Sequence, residues 1–218
     1  MKISVLQPKI IRGDIDYNGK VIQDLIRGSR GELLILPEYS LTGSLVLDVN
    51  ADINSWVTKS NLAKSQLEIP KNKQVLINTL IKLDNHIYNV CELLPSNNIQ
   101  FKLFPDEQEL NAGITPGKEQ KVFELSNKKF KTIICTDLRY INEISTDNLD
   151  FLFFIFHFTD HNFEKAMQDV KNISIERKIP IIISSLVSDK NIGFSSYVNQ
   201  NTIVSLSGFE GIIEIEID

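Results

Sequence analysis

Three residues of this chain combine reactive side-chain types with positions where an apolar run gives out. Cys135 ends "KKFKTIIC", Glu38 follows "LLILP", and Lys102 ends "NIQFK". A thiol, once deprotonated, attacks a carbonyl carbon readily and carries the acyl group as a thioester. A carboxylate at a strand mouth, partly withdrawn from water, gains the basicity a general base needs. An ammonium held beside them stabilises a thiolate and an oxyanion formed from substrate. Each residue also has a plainer reading: Cys135 as a core thiol, Glu38 as the start of a solvated loop, Lys102 as a lysine pointing into water. Residue type alone leaves Cys135 open between packing and nucleophile. The coincidence of acid, lysine and cysteine at strand ends points to acyl transfer, because α/β folds present reactive groups at the carboxyl ends of strands.

Other candidates carry less. Cys91, inside "IYNVCELL", reads as core packing with nothing polar around it. Tyr39, Trp56 and Tyr88 read first as packing residues. His157 and His161 flank a loop after an apolar strand, where surface or capping roles compete with a pocket-facing one. "GITPG" (113 to 117) is turn chemistry without the strand-to-helix context of a phosphate loop. "NISIER" reads as an exposed helix end, with Glu176 available to tether a loop.

The elements that must position these residues follow from periodicity. "KISVLQP" reads as a strand stopped by Pro8, then a helix capped by Asp14 or Asp16 with Tyr17, Val21, Leu25 and Gly28 along one stripe. "GELLILPEY" suits a strand buried on both faces. A helix over 53 to 67 passes through Ile53, Trp56, Ser60, Ala63 and Leu67 and stops at Pro70. "QVLINTLIKL" and "IYNVCELL" read as neighbouring strands around "DNH", with "NIQFK" following the turn "PSNN". Residues 104 to 120 read as a long surface loop. "KKFKTIIC" and "LDFLFFIFHF" are further strands, and 161 to 178 is the clearest helix, with Phe163, Ala166, Met167, Val170, Ile173 and Arg177 at helical spacing. "IPIIISSL", "GFSSYV", "NTIVSL" and "GIIEIEI" close the chain as strands, the last alternating Ile against Glu so that one face is wet. Nothing divides residues 1 to 218, so a single domain of two packed sheets with helices outside is expected.

Composition narrows the class of function. A net charge of -5 argues against a nucleic-acid binder, which carries a basic face. Three histidines, none spaced near a cysteine, speak against a zinc site. Two cysteines make no disulfide framework, no signal-peptide region opens the chain, and "FLFFIFHF" is too short to cross a bilayer. A cytoplasmic protein without membrane attachment is the expectation.

Taken together, "LPEYSLTG" around Glu38, "HIYNVCELLPSNNIQFK" ending at Lys102 and "TIICTDLRY" around Cys135 resemble the three motifs of the nitrilase superfamily, the carbon–nitrogen hydrolases. The likeness continues through "NISIERKIPIII" and the closing strands, so it covers nearly the whole chain in order. It implies an α/β fold, a four-layer α-β-β-α sandwich of the nitrilase type. It implies a Glu38–Lys102–Cys135 triad acting on a small carboxamide or carbamoyl compound with no metal and no cofactor. It also implies Thr136 supplying a backbone N–H and a second acid supporting the lysine, Glu109 by its spacing before "GITPG", with Glu107 the alternative. A homodimer or larger homo-oligomer built on 139 to 146 and 161 to 178 is a further implication. Tyr39, His157 and Phe158 are the candidate pocket-lining residues, and Arg139 stands between substrate contact and structural anchor.

The chain departs from the family pattern at Thr136, where an aromatic is usual, at "INE" after the Arg139–Tyr140 pair, and in "FKLFP". These departures motivate a second reading, a catalytically inactive binding or regulatory subunit. Nitrile hydrolysis on the same triad is another. An isochorismatase-like cysteine hydrolase is a poorer match, because its acid is an aspartate and its motif order differs.

Overall fold

The computed structural model describes residues 1–44, 52–96 and 98–217; Asn97, inside the expected "PSNN" turn, lies outside them. The chain runs through β1 (Lys2–Gln7), α1 (Ile15–Gly28), β2 (Leu33–Ile35), α2 (Ile53–Ser65), β3 (Gln74–Leu83), β4 (His86–Leu94) and β5 (Asn98–Phe101). It continues with α3 (Glu107–Asn111), β6 (Phe123–Leu125), β7 (Lys128–Ile134), a 3-10 helix (Cys135–Glu143), β8 (Phe151–Ile155) and α4 (Phe163–Arg177). Four strands close it: β9 (Ile181–Ser184), β10 (Gly193–Asn199), β11 (Thr202–Ser207) and β12 (Gly211–Glu216).

The strands form two six-stranded sheets, ordered β12-β1-β2-β3-β4-β5 and β11-β10-β9-β8-β7-β6. Side-chain alternation explains how they stack. In β8, Phe151, Phe153 and Ile155 join Ile3, Val5, Leu33 and Ile35 of the first sheet in the core between the sheets. Leu152 and Phe154 point the other way, onto Ala166, Val170 and Ile173 of α4. On the opposite side Leu6, Leu34 and Val75 meet Ile22, Leu25 and Ile26 of α1. The result is a mixed α/β fold of four layers, helix, sheet, sheet, helix, the arrangement expected from the sequence. β1, β2 and β3 run parallel to one another, as do β7, β8 and β9, so the carboxyl ends of the central strands of both sheets gather at one end.

Local details refine the sequence reading. Asp14 caps α1, accepting from the Tyr17 N–H at 3.0 Å. The buried stripe of α1 is Ile15, Asn18, Ile22, Leu25 and Ile26, not Tyr17, Val21, Leu25 and Gly28. The isoleucines carry the apolar face, Tyr17 and Val21 flank it, and Gly28 is exposed at the helix end. In α2 the buried positions are Val57 and Ser60, with Trp56 at the margin. Asp84 and Asn85, at φ 47° and 66°, form the two-residue turn of the β3–β4 hairpin. Residues 104 to 120 are not a plain surface loop. They contain α3, closed by a reciprocal capping box between Asp106 and Glu109. β6 also precedes β7 on the sheet edge, too short for its pattern to register in sequence. No helix among the described residues is long and apolar enough to cross a membrane.

Candidate active site

Glu38 stands just beyond β2 and Lys102 just beyond β5, while Cys135 follows β7 directly. Strand direction therefore delivers an acid and a lysine from one sheet, and a thiol from the other, to the same end of the sandwich. Cys135 turns the chain from β7 into the 3-10 helix at φ 47°. A non-glycine residue in that left-handed region carries a cost of about 1–3 kcal/mol that the surrounding structure must offset.

Lys102 is held from every side. Its backbone N–H donates to the Asn89 carbonyl at 2.9 Å, and its carbonyl accepts from the Gly117 N–H at 2.8 Å. A Cβ on Gly117 would sit 2.4 Å from the Phe101 Cβ and 2.9 Å from the Lys102 carbonyl oxygen, so only glycine permits this approach. The ammonium lies 3.0 Å from Glu38 Oε1 and 2.6 Å from Glu109 Oε2. Glu109 is thus the acid placed beside the lysine, whereas Glu107, on the same short helix, is exposed.

Asn89 lies in the tyrosine-asparagine strand of the matched stretch "HIYNVCELLPSNNIQFK", but the sequence reading gave it no role. Its Nδ2 faces Glu38 Oε1, the Tyr39 hydroxyl and Glu109 Oε1 at 3.0, 3.0 and 2.9 Å. Its Oδ1 accepts from Asn78 Nδ2 at 2.6 Å. Two asparagines in the middle of buried strands were the available signal, since asparagine is depleted from strands. Asn78 also reaches Cys91 Sγ at 3.8 Å, so Cys91 is a buried core thiol as expected but has a polar neighbour.

Tyr39 donates its O–H to Glu109 Oε1 at 2.7 Å; it lines the cavity and braces the acids. His157 lines it too, with Nε2 2.7 Å from the Glu38 carbonyl and Nδ1 2.6 Å from Ser44 Oγ. Phe158 does not line the cavity. It is fully buried, packed edge-on against Phe156 and Phe163, and Phe156 supplies the aromatic wall instead. Arg139 is exposed at the cavity margin, as is His161. Thr136 uses its hydroxyl to bond the Phe104 carbonyl at 2.6 Å, which fixes the turn carrying its backbone N–H. Asp137 ties the same turn to the lysine segment. Its carboxylate accepts from the N–H groups of Leu103 (3.1 Å), Phe104 (2.8 Å) and Ile134 (3.4 Å).

The electrostatics follow from burial and pairing. Burial pushes the Lys102 ammonium down, but the negative charge of Glu38, of Cys135 when it is ionised, and of Glu109 more than offsets it and holds the group above the ordinary lysine range. Burial likewise raises the Glu109 carboxyl, and Lys102, Tyr39 and Asn89 bring it below its usual value. The Cys135 thiol is pushed well up by burial and by Glu38, and Lys102 opposes this only in part. Burial and the neighbouring carboxylates also raise the Tyr39 phenol. The resting site therefore holds a charged lysine, an ionised Glu109 and a neutral thiol bonded to Glu38. These groups open onto a cavity of about 610 Å³, the size of a small-molecule site. Among the described residues, no cluster of three or more His, Cys, Asp or Glu is placed to hold a metal ion.

No family model matches the sequence, and no curated protein gives a significant match. Solved structures do match. A glutamine-dependent NAD+ synthetase from Acinetobacter baumannii superposes with a TM-score of 0.83 at 20% identity over 98% of this chain, which spans only 44% of that longer one. A CN-hydrolase superfamily protein from Xanthomonas campestris, with an arsenic adduct in its active site, gives 0.78 at 15% identity over 100% of this chain and 90% of that one. An amidase from Nesterenkonia sp. gives 0.80 at 14% identity over 99% and 89%. Likeness of shape at such low identity speaks to architecture: this chain has the fold of the nitrilase superfamily, the carbon–nitrogen hydrolases.

Proposed function

We propose that the chain is a carbon–nitrogen hydrolase, an amidase that converts a small carboxamide or carbamoyl compound to an acid and ammonia. The observation that carries this reading is Lys102 held between Glu38 and Glu109 at the foot of a cavity into which Cys135 opens. Glu38 takes the thiol proton as Cys135 sulfur attacks the carbonyl carbon. The oxyanion that forms is stabilised by the Lys102 ammonium and the Thr136 backbone N–H. As the carbon–nitrogen bond breaks, Glu38 returns its proton to the departing nitrogen and ammonia leaves a thioester on Cys135. Glu38 then accepts a proton from water, whose oxygen attacks the thioester. Collapse expels the sulfur, which regains the proton as the acid departs. Glu109 shares the Lys102 charge with Glu38, whose Oε1 faces the ammonium, so Oε2 of Glu38 is left to act as the base.

The test is ammonia release across a panel of aliphatic amides, carbamoyl compounds, a nitrile and glutamine. Glutamine belongs in the panel because the neighbouring NAD+ synthetase is described as glutamine-dependent. Turnover that disappears in Cys135→Ala is expected, with a thioester adduct visible by intact mass in the wild type. Undiminished turnover in that variant would overturn the mechanism. A wild type that neither turns over nor is alkylated at Cys135 would instead favour an inactive binding subunit.

A further inference from the structure

His157 is the one histidine whose ring is gripped inside the cavity, 13% exposed and wedged against Glu38. The Glu38 carbonyl can only accept, so the nitrogen 2.7 Å from it, Nε2, must carry a hydrogen. In the neutral ring Nδ1 is then a bare acceptor, and the Ser44 hydroxyl at 2.6 Å is its donor. The same Nδ1 lies 3.9 Å from Glu38 Oε2. Oε1 already faces Lys102 and Asn89, both at 3.0 Å, which leaves Oε2 as the oxygen open to the Cys135 proton. The backbone is gripped as well, because Asn162 Nδ2 donates to the His157 carbonyl at 3.1 Å.

We infer that His157 is a positioning residue for Glu38: neutral, it anchors the backbone and leaves Oε2 free, and protonated, it turns an N–H toward that oxygen and withdraws the base. This rests on the general-base reading of Glu38. The step is a proton binding to Nδ1, with Ser44 rotating its hydroxyl away and an ion pair forming with the carboxylate. The charged and titratable groups lining the same cavity are Arg12 beyond β1, Glu38 and Tyr39 beyond β2, Lys102 beyond β5, Asp106 and Glu109 at α3, Cys135 and Arg139 beyond β7, His161, Lys165 and Asp169 before and on α4, and Asp189 and Lys190 beyond β9. Lys102 and Glu109 are locked as a charged pair, and the phenol and thiol are held neutral. Histidine is the side chain whose charge ordinarily changes between about pH 5 and 8. His161 is exposed and provides the control. Asp137 also titrates near this range, pushed up to about 7 by burial, but it bonds the backbone of Leu103, Phe104 and Ile134 rather than Glu38.

The experiment needs no known substrate. The rate of Cys135 alkylation by iodoacetamide is followed by intact mass from pH 4.5 to 8.5 in wild type, His157→Gln, His161→Gln and Glu38→Gln. Glutamine can still donate to the Glu38 carbonyl but cannot take up a proton. The wild type should lose reactivity toward acid with a break between pH 5 and 8, and His161→Gln should follow it. His157→Gln, relative to its own rate at pH 8, should stay flat across that window, its break moved down by at least about one pH unit. An acid limb belonging to Asp137 would survive in His157→Gln. Superimposed profiles of wild type and His157→Gln, or a wild type with no break, would overturn the role of His157. Wild-type reactivity in Glu38→Gln would overturn the general-base reading itself.

Discussion

Lys102 and Glu109 form a buried ion pair at 2.6 Å, with side chains only 2% and 3% exposed. Removing one member of such a pair leaves the other charge uncompensated and costs about 3–5 kcal/mol where nothing replaces it. In Glu109→Gln the lysine falls back on Glu38, so the stability loss should sit at the lower end of that range. Activity should fall about a hundredfold or more, because a carboxylate spent on neutralising Lys102 is a poorer base. Urea denaturation and steady-state kinetics check both, and an unchanged kcat would count against this division of labour between the two acids.

Cys135 is held at φ 47°, a conformation glycine adopts freely. Cys135→Ala and Cys135→Gly should both lose turnover, yet the glycine variant should be the more stable of the two by roughly 0.5–1 kcal/mol. Thermal melts of the pair decide it. A glycine variant that melts lower would mean that the turn carries no strain.

Gly117 touches the backbone of Lys102. Gly117→Ala must push that segment by some tenths of an ångström against backbone and Cβ atoms that have little room to give. We expect about 1–3 kcal/mol of destabilisation and a drop in kcat larger than any change in KM, because in the proposed mechanism the displaced group acts on the oxyanion. A change confined to KM would place Gly117 with substrate binding instead.

Burial pushes the Asp137 carboxyl up to about 7, against the backbone N–H groups of Phe104, Ile134 and Leu103 that favour its charged form. An acid raised in this way binds its proton more tightly in the folded state. Its contribution to stability is therefore complete below the unfolded value of about 3.9 and is lost as pH rises to about 7. Acidification from about pH 8 to pH 5 should stabilise the protein through this group, and Asp137→Asn should flatten that part of the dependence. Urea midpoints at the two pH values measure it. An identical pH dependence in the variant would remove Asp137 as the cause.

The candidate site was legible wherever a reactive residue coincided with the end of an apolar run. Glu38, Lys102 and Cys135 stood out for that reason, because strand ends can be read from pattern and the direction of parallel strands sends them to one place. Asn89 was not legible as a contributor. Its work depends on the cross-strand pairing of Asn78 with Cys91 and of Leu80 with Asn89, a register that no local pattern prints. Phe158 was misplaced because strand β8 ends at Ile155, after which simple alternation no longer says which of Phe156, His157 and Phe158 faces the cavity.

Local pattern was sufficient for the two-sheet, helix-outside architecture, for most strand positions and for the types of residue that could perform acyl transfer, since all three depend on periodicity and side-chain chemistry along the chain. It could not decide between Glu107 and Glu109, which lie two positions apart in an acidic stretch. The capping box that turns α3 and buries Glu109 against Lys102 decided that. Nor could it put His157 against Glu38, since the two are separated by 119 residues and come from different sheets. Distances between groups that meet only when the sheets stack are set by packing, and the protonation states of Cys135, Lys102 and Glu109 follow from those distances and from burial.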